Sequence, residues 1–271
     1  MGFRKITEES SSYTGLDKMS IDELIAIVNK EDKLVALAVE KALPQISALI
    51  KEVVLHLQSG GRLFYIGAGT SGRLGILDAS EMPPSFGVSE EMVQGIIAGG
   101  EKAIVSAVEF AEDDTGGIEK IFQDKGISQN DMVIGISASG STPFVLRALQ
   151  YCRSAGITSG SVCNNPESPI SGFSDFPVEV ITGPEVITGS TRMKAATAQK
   201  MVLNMISSTA MIRLGRVKGN KMTNLMPLNK KLSQRAIQMI MEELGINDAA
   251  YAGQLLEKHG SAQKAIAACR R

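Results

Sequence analysis

The sequence predicts an α/β fold, a parallel sheet covered by helices on both faces. Three observations predict it. Short apolar runs recur and stop at small residues, in "LFYIGAG", "MVQGIIAGG", "DMVIGISASG" and "ITSGSVCNN". Helix-like stretches separate them, notably "STPFVLRALQYCRSAG" and "TRMKAATAQKMVLNMISSTAMIRLG". Glycine- and serine-rich turns follow the apolar runs directly, where the carboxyl ends of parallel strands bind ligands.

The first twenty residues are polar and read as an arm. From Ser20 the apolar positions Leu24, Ile27, Val28, Leu34, Leu37 and Ala38 fall at helical spacing. Ser20 with Glu23 three residues on forms a capping box, and Pro44 divides the region into two or three helices. His56, near the end of that pattern, reads as a packing or capping histidine. Leu63–Ile66 reads as a buried strand entering a glycine turn, with "GRLGILDASE" as the next helix. After Asn229 the pattern is helical only, with Asn247 or Asp248 as a cap and Gly260 as the stop between two short helices. The expected organisation is an N-terminal arm and helices over 1–44, an α/β domain over 45–227 and a helical appendage over 228–271.

The 271 residues are 44% hydrophobic and 21% charged, enough to bury a core rather than remain disordered. A net charge of -1 with no basic stripe argues against nucleic acid as a partner. No apolar run approaches a membrane span and no secretory signal opens the chain, so a cytoplasmic protein is expected. Three cysteines without CxxC spacing and two distant histidines suggest neither a disulfide framework nor a metal site.

Gly67-Ala68-Gly69-Thr70-Ser71-Gly72 matches GxGxxG by letter, but no acidic residue closes the next strand, which ends in Ala98-Gly99-Gly100. Arg73-Leu74 stands where a nucleotide P-loop carries Lys-Ser/Thr. What remains is a set of backbone N–H groups, two hydroxyls and a helix start, suited to one phosphate or a sugar hydroxyl. The stretch "SASGSTP" repeats the device with Ser137, Ser139, Ser141 and Thr142. Either loop alone reads equally as a helix cap; two at successive strand ends favour a phosphorylated small molecule. Glu185, Thr188, Ser190, Thr191, Arg192 and Lys194 gather before a long apolar helix, as a third polar cluster or simply as its cap. Glu81 precedes Pro83-Pro84, where the chain stiffens and turns. Glu112 lies in a run with Glu109, Asp113 and Asp114 that reads as a solvated face. A pair of carboxylates beside a phosphate would also suit acid–base work on a sugar.

"YIGAGTSGRLGILDASEMPPSFGV", "GIIAGGEKAI", "AVEFAEDD", "GISASGSTPFV" and "GPEVITGSTRMKAATAQKMVLNM" closely resemble the N-acetylmuramic acid 6-phosphate etherases, from about Ile6 through Arg235. The resemblance implies a three-layer sugar isomerase (SIS) domain with a flavodoxin-like core. It also implies a homodimer with the site near the subunit interface and no cofactor. The implied reaction removes D-lactate from N-acetylmuramic acid 6-phosphate by elimination and hydration, as in peptidoglycan recycling. By motif, Glu81 falls on the proton donor to the leaving lactate and Glu112 on the carbon-acid base. Substrate contacts are expected from Gly69, Thr70, Ser71, Ser137, Ser139, Ser141 and Thr142, together with Glu185 and Ser190. The chain departs from the pattern at Ser141, where an arginine is usual, at Phe110, where a glycine is usual, and at Asn224, where an aspartate is usual. A sugar-phosphate isomerase or a phosphosugar-sensing regulator are the competing expectations; neither needs an acid aimed at a third-carbon ether.

Overall fold

The computed structural model describes residues 3–222 and 230–270. Asn224 and Asn229 therefore lie outside the described residues. Two short 3-10 turns, Ile6–Glu8 and Leu16–Lys18, lead into helices α1 (Ile21–Lys41) and α2 (Leu43–Gln58). Ser20 caps α1 as expected: its hydroxyl accepts the Glu23 N–H, and the Glu23 carboxylate accepts the Ser20 N–H at 2.8 Å. Pro44 sits in the first turn of α2, where its missing N–H leaves nothing unpaired, so the break falls at Ala42.

The sheet follows. Strand β1 (Leu63–Gly67) leads through α3 (Gly69–Ser80) and α4 (Met82–Phe86) to β2 (Val93–Ile97). Two further helices, α5 (Lys102–Val105) and α6 (Ile118–Asp124), precede β3 (Met132–Ser137). Then come α7 (Pro143–Ala155), β4 (Thr158–Cys163), α8 (Pro169–Phe173), β5 (Phe176–Glu179) and α9 (Lys194–Arg213). All five strands are parallel in the order β2-β1-β3-β4-β5. The chain leaves β1 toward one edge and returns to β3 on the other side, so a topological switch point opens between the carboxyl ends of β1 and β3.

Every residue of β1 and β3 is buried, as a sheet covered twice requires. On one face Tyr65 and Ile134 pack with Val35 of α1, Leu49 of α2 and Val202 and Ile206 of α9. On the other, Phe64 and Val133 pack with Phe122 of α6 and Val145 and Leu149 of α7. This is the three-layer sandwich expected from the sequence. Helix α3 lies on β1 and β2 so closely that side chains are excluded at two glycines. A Cβ on Gly95 would sit 2.7 Å from the Ile76 Cα, and one on Gly75 2.9 Å from the Tyr65 Cβ. That contact sets where the first turn of α3 stands above the sheet.

A short hairpin, β6 (Val217–Lys218) with β7 (Lys221–Met222), leads to the last helices, α10 (Lys230–Leu244), α11 (Ala249–His259) and α12 (Ala262–Cys269). They form a core of their own around Ala236, Ile240, Ala252 and Leu256, with Met222 touching both cores. Asp248 caps α11, and Gly260, left-handed at φ 74°, ends it.

At the amino edge of the sheet the starts of β1 and β3 are clamped. Asp131, 2% exposed, accepts the Arg62 N–H at 2.9 Å, two guanidinium N–H groups at 3.0 and 2.9 Å, and the Ser128 N–H at 2.9 Å. Burial pushes the Asp131 carboxyl up, but Arg62 and the backbone N–H donors outweigh it and hold it below the ordinary 3.8. A carboxyl depressed in the folded state stabilises above its unfolded value and loses that contribution as pH falls through the folded one. Asp131→Ala should therefore cost about 3 kcal/mol at neutral pH. Its denaturant midpoint should also fall less steeply than wild type below about pH 4. Equal acid sensitivity of the two proteins would remove Asp131 from that role.

Candidate active site

The loop after β1 turns at Gly69, whose φ of 52° glycine adopts without strain. The first hydrogen bond of the helix is Gly72 N–H to the Ala68 carbonyl at 3.1 Å, so the N–H groups of Gly69, Thr70 and Ser71 precede it at the helix start. The Ser71 hydroxyl points inward instead. It donates to Gln199 Oε1 at 2.9 Å; Gln199 Nε2 donates to Asn164 Oδ1 at 3.2 Å; Asn164 Nδ2 donates to the Val180 carbonyl at 3.0 Å.

The loop after β3 is a tight knot of hydroxyls. Ser137 Oγ lies 2.8 Å from Thr142 Oγ1 and 3.3 Å from Ser139 Oγ, and accepts the Gly140 N–H at 3.0 Å. Ser141 reaches Ser139 Oγ with both its N–H and its hydroxyl, each at 3.3 Å. Gly140 has φ 71°, and a Cβ there would lie 2.4 Å from the Ser168 Cβ, so the loop closes only with glycine. Glu112 stands at the same edge: its carbonyl accepts the Phe144 N–H, in the first turn of α7, at 2.9 Å. The structure thus brings Gly69, Thr70, Ser71, the Ser137–Thr142 loop and Glu112 together around the switch point.

Of the third polar cluster, Glu185 is turned to the scaffold. Glu185, 1% exposed, accepts the N–H groups of Lys194 and Ala195, both at 2.9 Å, and so caps α9. Its carboxyl is raised by burial despite those two bonds and the nearby Lys194. Ser190 is half-buried in the turn before α9, its N–H on the Ile187 carbonyl at 2.9 Å. The sequence reading missed Asn164, Asn165 and Gln199, which hold these loops from beneath. The only available cue was a pair of amides directly after an apolar strand.

Glu81 stands elsewhere. It is the exposed residue that ends α3, which starts at the switch point and runs away from it. Twelve residues at about 1.5 Å each place Glu81 roughly 18 Å from Gly69. It lines a cavity of about 380 Å³ with Asp78, Lys200, Asn204 and Ser207. Asp78 accepts the Ser207 hydroxyl at 2.9 Å, and burial raises its carboxyl to about 6.

A 2-1-3-4-5 parallel sheet with paired hydroxyl loops at its switch point is a doubly wound α/β domain, here of SIS type. Residues 45–153 match the glucokinase regulatory protein N-terminal SIS domain, and residues 118–208 match the SIS domain. A phosphoheptose isomerase from Neisseria gonorrhoeae shares the fold, with TM-score 0.54 and 16% identity over 70% of this chain and 98% of that one. One from Francisella tularensis also scores 0.54, at 14% identity over 72% of this chain and 100% of that one. The N-acetylmuramic acid 6-phosphate etherase of Bacteroides thetaiotaomicron is 53% identical over 100% of this chain and 98% of its own length. That of Christiangramia forsetii is 52% identical over 96% of this chain and 94% of its own. The chain belongs to the N-acetylmuramic acid 6-phosphate etherase family.

Two residues before Glu112, Phe110 occupies the left-handed region at φ 60° with its side chain 80% exposed. Bulky residues rarely adopt this backbone, and it costs on the order of 1 kcal/mol or more. Phe110→Gly should raise the unfolding free energy by about 1 kcal/mol, read from denaturant midpoints, with an unchanged m value. A less stable variant would mean that the phenyl ring contributes more than its backbone loses.

Proposed function

We propose that this chain is a carbon–oxygen lyase that cleaves the D-lactyl ether of N-acetylmuramic acid 6-phosphate, giving N-acetylglucosamine 6-phosphate and D-lactate. The observation that carries the reading is Glu112 set against the serine-rich loop at the switch point, in a chain that matches etherases over its whole length. The substrate phosphate lies on the N–H groups opening α3 and on the hydroxyls of the Ser137–Thr142 loop. With the sugar ring open, the aldehyde acidifies the proton on the second carbon, and Glu112 removes it. The electrons form the double bond to the third carbon as the lactate oxygen leaves, taking a proton from Glu81. Water then adds at the third carbon and the second carbon regains a proton, so the balance is ether plus water to alcohol plus lactate.

In this proposal the two carboxylates come from two chains. The phosphate and the third carbon of one sugar are a few bonds apart, whereas Glu81 is roughly 18 Å from its own phosphate loop. The reading therefore takes Glu81 from a second copy in a cytoplasmic homodimer. Ile21, Ile25, Leu34 and Leu37 of α1 and Leu77 of α3, one turn before Glu81, are exposed large apolar side chains, as a covered face requires.

Release of D-lactate from the purified protein tests the activity. Glu112→Ala should lose both solvent-proton exchange at the second carbon and lactate release by a factor of about 100 or more. Glu81→Ala should retain exchange while losing release; full release by that variant would falsify its role as the acid. Co-refolding the two inactive variants should restore about a quarter of wild-type release, since half the dimers would carry one intact shared site of two. No recovery, with mixed dimers demonstrated, would place both carboxylates in one subunit.

A further inference from the structure

The N-terminal segment is polar in sequence, yet Thr7 is completely buried. Its N–H donates to Asn165 Oδ1 at 3.1 Å, and its hydroxyl accepts from Asn165 Nδ2 at 2.9 Å. The same Nδ2 donates to the carbonyls of Ala138 at 2.9 Å and Ser139 at 3.1 Å, inside the hydroxyl loop after β3. Chemistry settles which way this amide faces. A backbone N–H only donates, so Thr7 must meet the amide oxygen; two carbonyls only accept, so Ala138 and Ser139 must meet the nitrogen.

That orientation reaches the phosphate loop through peptide planarity. In a trans peptide the C=O and the next N–H point to opposite sides. Holding the Ala138 and Ser139 carbonyls toward Asn165 turns the N–H groups of Ser139 and Gly140 the other way. The Gly140 N–H then meets Ser137 Oγ, closing the knot of hydroxyls. Further along, the Ser11 N–H donates to Thr188 Oγ1 at 2.9 Å. The Tyr13 hydroxyl donates to Glu31, whose other oxygen accepts from Lys194 at the start of α9. The segment is therefore tied to the loop after β4, the turn before α9 and the α1–α9 ion pair.

We infer that Thr7, acting through Asn165, is a positioning residue for the phosphosugar loop, so that the N-terminal segment is part of the substrate site. The inference rests on the Ser137–Thr142 loop holding the phosphate. It implies that loosening the clasp weakens ground-state binding of the phosphosugar and leaves the chemistry, which belongs to the two glutamates, intact.

Steady-state kinetics of D-lactate release from N-acetylmuramic acid 6-phosphate test it in the full chain. Thr7→Val keeps the shape and removes the hydroxyl; KM should rise about three- to tenfold with kcat within about twofold of wild type. Thr7→Ser, which keeps the hydroxyl, should restore KM. Asn165→Asp is nearly isosteric and sets an acceptor against the two carbonyls, so its KM should rise at least as much. A lowered melting temperature with wild-type KM in both Thr7→Val and Asn165→Asp would overturn the inference, as would loss of kcat at unchanged KM. Ser139→Ala separates the two readings. Raised KM there with wild-type KM in Thr7→Val sinks the Thr7 role alone, whereas wild-type KM in Ser139→Ala sinks the phosphate loop and the clasp with it.

Discussion

A line of buried amides and hydroxyls under the carboxyl edge of the sheet is the constraint on which the site depends. From Ser71 through Gln199 and Asn164 to the Val180 carbonyl, each group gives or takes a hydrogen bond within 3.2 Å. These groups lie where water does not reach, so each is costly to leave unpaired and the line forms as a unit. It joins the first turn of α3, the first turns of α9, and the chain leaving β4 and β5. The consequence for the site is a division of labour within one motif. The side chain of Ser71 serves the scaffold, and the backbone N–H groups beside it open the helix, where the proposed site takes its anion.

Helix length imposes the second constraint. Because α3 starts at the switch point, anything at its far end must lie near the opposite edge of the sheet. Glu81 is there with Asp78, one turn earlier on the same helix, whose carboxyl burial raises to about 6. Ser207 of α9 anchors Asp78 much as Gln199 anchors Ser71, so α3 and α9 are riveted at both ends. A rigid helix pair can carry a carboxylate accurately, but only to a neighbour. This is why the proposed site, built from Glu81 and Glu112, draws on a second copy of the chain.

The sheet was legible because fully buried parallel strands are continuous apolar runs and their turns carry glycine. Strand β5 was not: it has four residues, lies at the sheet edge and contains Pro177, which only an edge tolerates. Both hydroxyl loops could be read from their place after strands, whereas Glu112 could not be told from a solvated acidic face until a motif assigned it. Glu185 shows the converse. It stands in a polar cluster that suggests ligand contact, but its carboxylate caps α9, and spacing does not separate these uses. Asn165 was silent because its importance comes from a residue 158 positions away. Contacts at that separation leave no periodicity to find.

The departure at Ser141 gains meaning from electrostatics. Where an arginine is usual, this chain places a hydroxyl that donates to Ser139, removing a point charge from the cradle. Lys194 is already held by Glu31 and Arg147 by Glu119. In the proposed site the attraction for a phosphate then rests on oriented dipoles, above all the N–H groups that open α3, with about half an elementary charge at the helix start. A guanidinium can follow a misplaced anion, but a backbone N–H cannot. A cradle of dipoles works only as well as its loops are fixed, so the Ser71–Gln199–Asn164 line and the Asn165 amide do by position what a mobile cation would do by charge.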